Sequence, residues 1–191
     1  MPGRGDRPTK HLHKTAVCAT KVAKAGSVSV IPVATGNGVI HFYHPGRRSA
    51  YTMKLVYETI FCKTGSGTDI IDITPAVQAK IPPSGITDGN VLLFVAGSTA
   101  ALTTIEYESG AVADLRDAVE RLAPAGQPYR HDQRWGDGNG YAHVRAALLG
   151  ASLVVPLRGG RMMLGTWQQI VVLDFDNRPR TREIQVQITG V

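Results

Sequence analysis

The chain has 191 residues, of which 43% are hydrophobic and 19% charged, with a formal net charge of +6. That is room for one ordinary domain and a tail, with enough apolar content for a packed core; it excludes a fibre, a disulfide scaffold and an integral membrane protein. The charge is unevenly placed: residues 1–52 hold eight Lys and Arg against one acid, Asp6, which leaves thirteen bases against fourteen acids in residues 53–191.

The basic character therefore belongs to the N-terminal quarter, and electrostatics give no reason to expect nucleic acid on the body. Residues 1–52 are rich in Gly, Pro, Lys, Arg and His, and only 27–33 and 38–43 have the composition of short strands. Residues 1–24 lack a continuous apolar run, so no secretory signal is expected. No run anywhere approaches the roughly 20 apolar residues of a membrane helix. Cys18 and Cys62 form no CxxC and no zinc-finger spacing, which favours two reduced thiols and a cytoplasmic protein. His11 and His13 have no third ligand in view, Arg47-Arg48 reads as a solvated basic run, and Gly36-Asn37-Gly38 is a turn without the Lys-Ser/Thr ending of a phosphate loop. The segment reads as a flexible arm or as the product of a misassigned start codon.

From Met53 the pattern becomes regular. Leu55, Tyr57, Ile60 and Cys62 mark a β-rich stretch closed by Gly65-Ser66-Gly67, and 69–73 reads as a second short strand. Thr74 supplies a helix cap and Pro75 a first-turn proline; Val77 and Ile81 follow four apart, and Pro82-Pro83 should end the helix. Residues 91–96 are nearly continuously apolar, as expected of a strand covered on both faces, and 101–108 is a further β-type segment. Val112, Leu115, Val119 and Leu122 have helical spacing up to Pro124. Residues 127–138 read as loop, and 139–149 as a helix stopped by Gly150. Residues 152–157 and 161–165 flank a hairpin turn at Arg158-Gly159-Gly160, and 168–174 with 181–188 make a second hairpin around 176–179. Seven or eight strands and three helices on short links give an α+β fold, mostly antiparallel, with helices on one side of the sheet system.

Residues 128–145 hold the densest set of reactive groups, including His131, Asp132, Arg134, Asp137, Asn139, His143 and Arg145. Neutral imidazoles bind borderline metals, and a carboxylate is a normal third ligand. Glu106 and Glu108, two apart on a strand, share a face from which one of them could meet the histidines. The same cluster also reads as a polar loop with a capping asparagine and hydrogen-bonded histidines. Ser98-Thr99 beside Gly97 would let an anion approach backbone N–H groups, with ordinary strand threonine as the alternative. Trp135 and Trp167 could stack on a ring or fill a core or interface. The chain has no Gly-x-Ser-x-Gly, no Walker loop and no dinucleotide fingerprint, so the corresponding hydrolase and nucleotide-cofactor readings fall away.

Residues 69–77, 97–108, 129–131, 137–143, 147–152, 165–169 and 174–180 together resemble the YjbQ-like family, often labelled secondary thiamine-phosphate synthase enzyme. The resemblance covers residues 53–191 and leaves the first 52 outside. It implies a compact α+β fold, a homotrimer and a weak thiamine-phosphate synthase activity, which joins a pyrimidine-methyl diphosphate to a thiazole phosphate and expels pyrophosphate. It further implies Glu106, His131 and His143 as catalytic groups or ligands of a divalent metal, zinc or magnesium. Ser98, Thr99, Asn139, Arg145, Trp167 and Gln168 would bind the phosphorylated substrate. The chain departs from the family pattern where Gly97-Ser98-Thr99 stands for a His-Thr-Thr motif, so that Gly97 replaces its imidazole, and where Ile105-Glu106 stands for an Asn-Glu step. The alternative function is a non-catalytic trimer that binds a metal or a phosphorylated metabolite. A third gives the basic arm a nucleic-acid role, with binding that falls steeply as salt rises.

Overall fold

The computed structural model describes residues 51–191 and the backbone of two short strands before them, β1 (Val33–Ala34) and β2 (Ile40–Phe42). β2 pairs antiparallel with β1 and with β3 (Tyr51–Thr52), which ends where the sequence pattern changes. The remainder of the expected 27–33 strand, the turn at 36–38, His11, His13, Arg47-Arg48 and Cys18 lie outside the described residues.

Two antiparallel sheets make the body. One has the order β4 (Lys54–Thr64), β11 (Arg180–Gly190), β6 (Gly89–Val95), β8 (Ser152–Arg158), β9 (Arg161–Met162). The other has β10 (Gln169–Asp174) at its centre between β5 (Asp69–Asp72) and β7 (Ala100–Ile105). The architecture follows from the two-residue period of β10. Ile170 and Val172 face the large sheet, where they meet Val91, Leu93, Ile184, Val186 and Ile188. Val171 and Leu173 face the opposite way, onto Val119, Tyr141, Ala142 and Ala146 of two helices, α3 (Ser109–Leu122) and α5 (Gly140–Leu149). The small sheet is thus a middle layer with a core on each side, and the fold is α+β. Among the described residues, no helix is long and apolar enough to cross a membrane.

Several local expectations change. The strand covered on both faces is β10, not β6: Val91, Leu93 and Val95 are buried, but Phe94 on the other face is 45% exposed. An apolar run records that both faces avoid water, not what covers them. The second hairpin does not form either, because β10 and β11 belong to different sheets. Period-two alternation identifies a strand but not its partner. Residues 175–179 carry the chain across, held by Gly67 N–H donating to Asp176 O at 2.7 Å and Phe175 N–H to Thr99 O at 2.9 Å.

The helix expected after Thr74 breaks into α1 (Thr74–Gln78) and α2 (Ile81–Ser84). Pro82 and Pro83 lie in the first turn of α2, where a missing N–H costs nothing, instead of ending α1. Thr74 is no cap; its Oγ1 accepts a bond from Ile170 N at 2.7 Å. The cap of α3 is Glu108, whose carboxylate accepts from Gly110 N at 2.7 Å and from Ala111 N. Bonds from Ala111 and Gly110 hold this carboxyl below its usual range, and its role as a cap removes it from any metal set. The segment expected as loop contains α4 (Arg130–Trp135), closed by Gly136 at φ 69°. Gly150 does end α5, at φ 89°.

Candidate functional site

A cleft of about 490 Å³ opens where α4 and α5 meet residues 97–99 and the link between β10 and β11. Gly140 makes the helical wall possible: a Cβ there would stand 2.5 Å from the Tyr129 Cβ and 3.0 Å from Asp132 Oδ1. Without one, Gly140 N donates to Asp132 Oδ1 at 2.8 Å and α5 starts directly against α4. His131 of α4 and His143 of α5 are thereby brought to 4.4 Å between ring centroids, tilted by 45°. His131 Nε2 lies 3.3 Å from Asp137 Oδ2, and one ligand atom each of His131, Asp132 and Asp137 falls within 4.8 Å of the others. Asn139, buried, turns its amide to the two Asp137 oxygens at 3.2 and 3.3 Å. Its nitrogen points inward and donates to both, which orients the Asp137 carboxylate. Asn177 Nδ2 donates to Asp137 O at 2.7 Å and fixes the turn.

The facing wall is a charge network. Asp174, fully buried, accepts from Arg182 Nε and Nη2, each at 2.6 Å, from Thr64 Oγ1 at 2.6 Å and from Asp176 N at 3.0 Å. Arg182 Nη2 also donates to Thr99 Oγ1 at 2.7 Å. Asp176 Oδ2 accepts from Arg180 Nε at 2.8 Å and Thr99 Oγ1 at 3.2 Å, while Asp176 Oδ1 is buried with no partner among the described residues. Burial pushes the Asp176 carboxyl up, but the bond and charge of Arg180, with Thr99 and Arg182, outweigh it and leave the group below its ordinary value.

Of the residues expected in a site, the cleft gathers Ser98, Thr99, His131, Asn139 and His143. Thr99 is there as part of the charge network, its hydroxyl already committed on both sides. Glu106 is not there. It is exposed past the far end of β7, seven residues from Thr99, roughly 20 Å along a strand. Trp167, 71% exposed, and Gln168 lie at that far end too. Gln168 donates from Nε2 to Thr104 Oγ1 at 2.9 Å and borders a separate cleft of about 640 Å³ with Gln78 and Arg161. Arg145 is a structural brace instead of a phosphate ligand. It is 2% exposed, donates to Ala123 O at 2.9 Å and Thr68 Oγ1 at 2.8 Å, pairs with Glu120 and lies over the Tyr141 ring.

Sequence reasoning placed Asp137 in the polar cluster without assigning it, and passed over Asp174, Asp176, Arg180 and Arg182. Their signal is present: acids and arginines at two-residue steps where apolar strands meet, which forces the charges to pair on burial.

The profile described as "UPF0047 protein YjbQ-like" matches residues 58–191. A UPF0047 protein of Archaeoglobus fulgidus is 42% identical over 125 residues, 65% of this chain and 94% of that one. UPF0047 protein YugU of Bacillus subtilis is 35% identical over 134 residues, 70% of this chain and 98% of its own. The crystal structure of a YbjQ-like protein from Sulfolobus solfataricus P2 superposes with a TM-score of 0.69 at 34% identity, covering 73% of this chain and 99% of that one.

Proposed function

The chain belongs to the UPF0047 YjbQ-like family, and from the geometry of its cleft we propose that it binds a divalent metal and a phosphorylated small molecule side by side. The observation that carries this reading is the meeting of an imidazole–carboxylate pair, His131 and Asp137, with an arginine-bearing wall in one cleft. The donor set suits a borderline or hard divalent ion: one imidazole nitrogen of His131 and the carboxylates of Asp132 and Asp137. His131, Asp132 and Asp137 would hold it, in place of the set with Glu106, with the Asn139 amide nitrogen orienting Asp137. When bound there, a divalent ion supplies positive charge for a phosphate oxygen.

The reaction we propose is thiamine-phosphate synthesis of low rate. The bond from the pyrimidine methylene carbon to the diphosphate oxygen breaks, the thiazole nitrogen forms the new C–N bond, and pyrophosphate leaves. Arg178 and Arg180 would hold the departing charge, and His143 would act as a general acid that gives its proton to the leaving pyrophosphate oxygen. Product should appear above buffer when the two substrates, the full chain and Zn²⁺ or Mg²⁺ are combined, and should vanish with chelator. Saturable stabilisation by metal and phosphate without product would make the protein a binder instead of an enzyme. No binding of either would end the proposal for this cleft.

We also propose that the protein is a cytoplasmic homotrimer whose subunits meet through the outer face of the large sheet. Register aligns Tyr57 of β4, Gln187 of β11, Leu92 of β6 and Val154 of β8 in one rung, with Leu55, Phe61 and Phe94 beside it. Tyr57 and Phe61 are 68% and 66% exposed in the single chain. So apolar an open sheet face suits burial against another copy. Light scattering should give three chains for the parent and one for Tyr57→Glu/Phe94→Glu; a parent that already runs as one chain would overturn this assembly.

A further inference from the structure

We propose that Gly97 makes the cleft selective for phosphate: by carrying no side chain, it leaves Arg182 Nη1 free to anchor a phosphate oxygen. The inference rests on the reading of this cleft as a phosphate and metal site, and adds which group grips the anion.

A guanidinium has five N–H donors. In Arg182 the Nε donor and one on Nη2 go to Asp174, and Nη2 also reaches Thr99. The remaining two are on Nη1, which has no hydrogen-bond partner among the described residues although Arg182 is buried. Nη1 stands 2.8 Å from where a Cβ on residue 97 would be, closer than a real Cβ tolerates. Gly97 and Arg182 both line the cleft, so the free donors border the space that a side chain would otherwise fill. The rest of the guanidinium is locked by Asp174, so Nη1 is held in place before any ligand arrives, and little side-chain entropy is lost on binding.

The local charge favours an anion over a neutral ligand. On this wall Arg180 is paired with Asp176 and Arg182 with Asp174, which leaves Arg178 as its unpaired cation among the described residues. The other carboxylate lining the cleft, Asp137, lies on the opposite wall beside His131. Arg180 spends Nε and Nη2 on Asp176, and Arg178 makes no ion pair among the described residues. A tetrahedral oxyanion can take parallel N–H donors from such a wall, each charge-assisted bond being about twice the strength of a neutral one.

The test uses the full chain, with inorganic phosphate and pyrophosphate as probes and Zn²⁺ as a separate one. Gly97→Ala suits it, because the Gly97 backbone lies outside the left-handed region and the added carbon meets only Nη1 and Cζ of Arg182. Phosphate affinity should fall about ten-fold, with Zn²⁺ affinity unchanged. In the parent, the ¹⁵Nη resonances of Arg182 should shift on adding phosphate, a readout that does not depend on the variant folding. Phosphate binding by the parent that is equal in Gly97→Ala, or that leaves the Arg182 resonances unmoved, would overturn the anchor and leave the phosphate reading standing. Zn²⁺ binding with no phosphate binding by the parent would overturn the phosphate reading itself, and the anchor with it.

Discussion

Asp174→Asn is expected to lower the unfolding free energy by about 3–5 kcal/mol, because it strands a buried cation. Asparagine keeps the volume, but its one oxygen can accept only from Thr64 or only from the Asp176 amide, and its NH2 then faces N–H or O–H donors at the other position. Also lost is the charge that meets Arg182 at two points of 2.6 Å. The nearest alternative, Asp176 Oδ2, is 3.7 Å from Arg182 Nη2 and is already claimed by Arg180. Denaturant titration measures the loss, and Asp174→Asn/Arg182→Met should recover part of it by removing the stranded charge. A cost under about 1 kcal/mol for the single variant would mean that water or Asp176 compensates Arg182. The same network has a sign in pH. Asp176 is held below its ordinary value of 3.8, so its contribution is complete above that value and is lost only as pH falls through the lowered one. Neutral and mildly acidic conditions leave it intact.

The fold was legible wherever one chain segment carried its own signal. Apolar periodicity located α3, α5 and the strands of the body, and glycine located their ends, as at Gly150. It failed where the partner lay elsewhere in the sequence. Residues 168–174 and 181–188 both alternate, but only the tertiary structure assigns β10 to β5 and β7 and β11 to β4 and β6. The turn helix α4 is not legible because Arg130–Arg134 is polar and Trp135 is exposed, with no buried residue to impose a helical period. Its first-turn contacts come from Tyr129 O and its end from Gly136, which are local bonds without a hydrophobic face.

The site was half legible for the same reason. His131, Asn139 and His143 lie within thirteen residues, and a short helix pair could hardly keep them apart. Arg145, two residues beyond His143, is instead on the inner side of α5, where Glu120 and Thr68 pair with it. Chemical type alone cannot distinguish an arginine that meets a ligand from one that ties helices together. Asp174 and Arg182 supply the opposite case, since their strands read as core and their charges matter because they are buried there.

Divalent-metal affinity should drop about a hundred-fold or more in His131→Ala and in Asp137→Asn, while Glu106→Gln leaves it unchanged. Asp137 offers Oδ2 beside His131 Nε2 and is oriented by Asn139 and Asn177; replacing it removes the carboxylate in contact with His131 and leaves Asp132 as the one carboxylate of the set. Glu106 has no such connection, because the length of β7 separates it from both imidazoles within one subunit. Calorimetric titration with Zn²⁺ on all three variants reads the contrast directly, and thermal melting checks that each is folded. The reverse pattern, loss in Glu106→Gln and retention in Asp137→Asn, would require a carboxylate brought from another copy of the chain. Repeating the titration on the Tyr57→Glu/Phe94→Glu variant would then decide the matter: a site completed across subunits is lost with the assembly, whereas one built from α4 and α5 of a single chain keeps its metal.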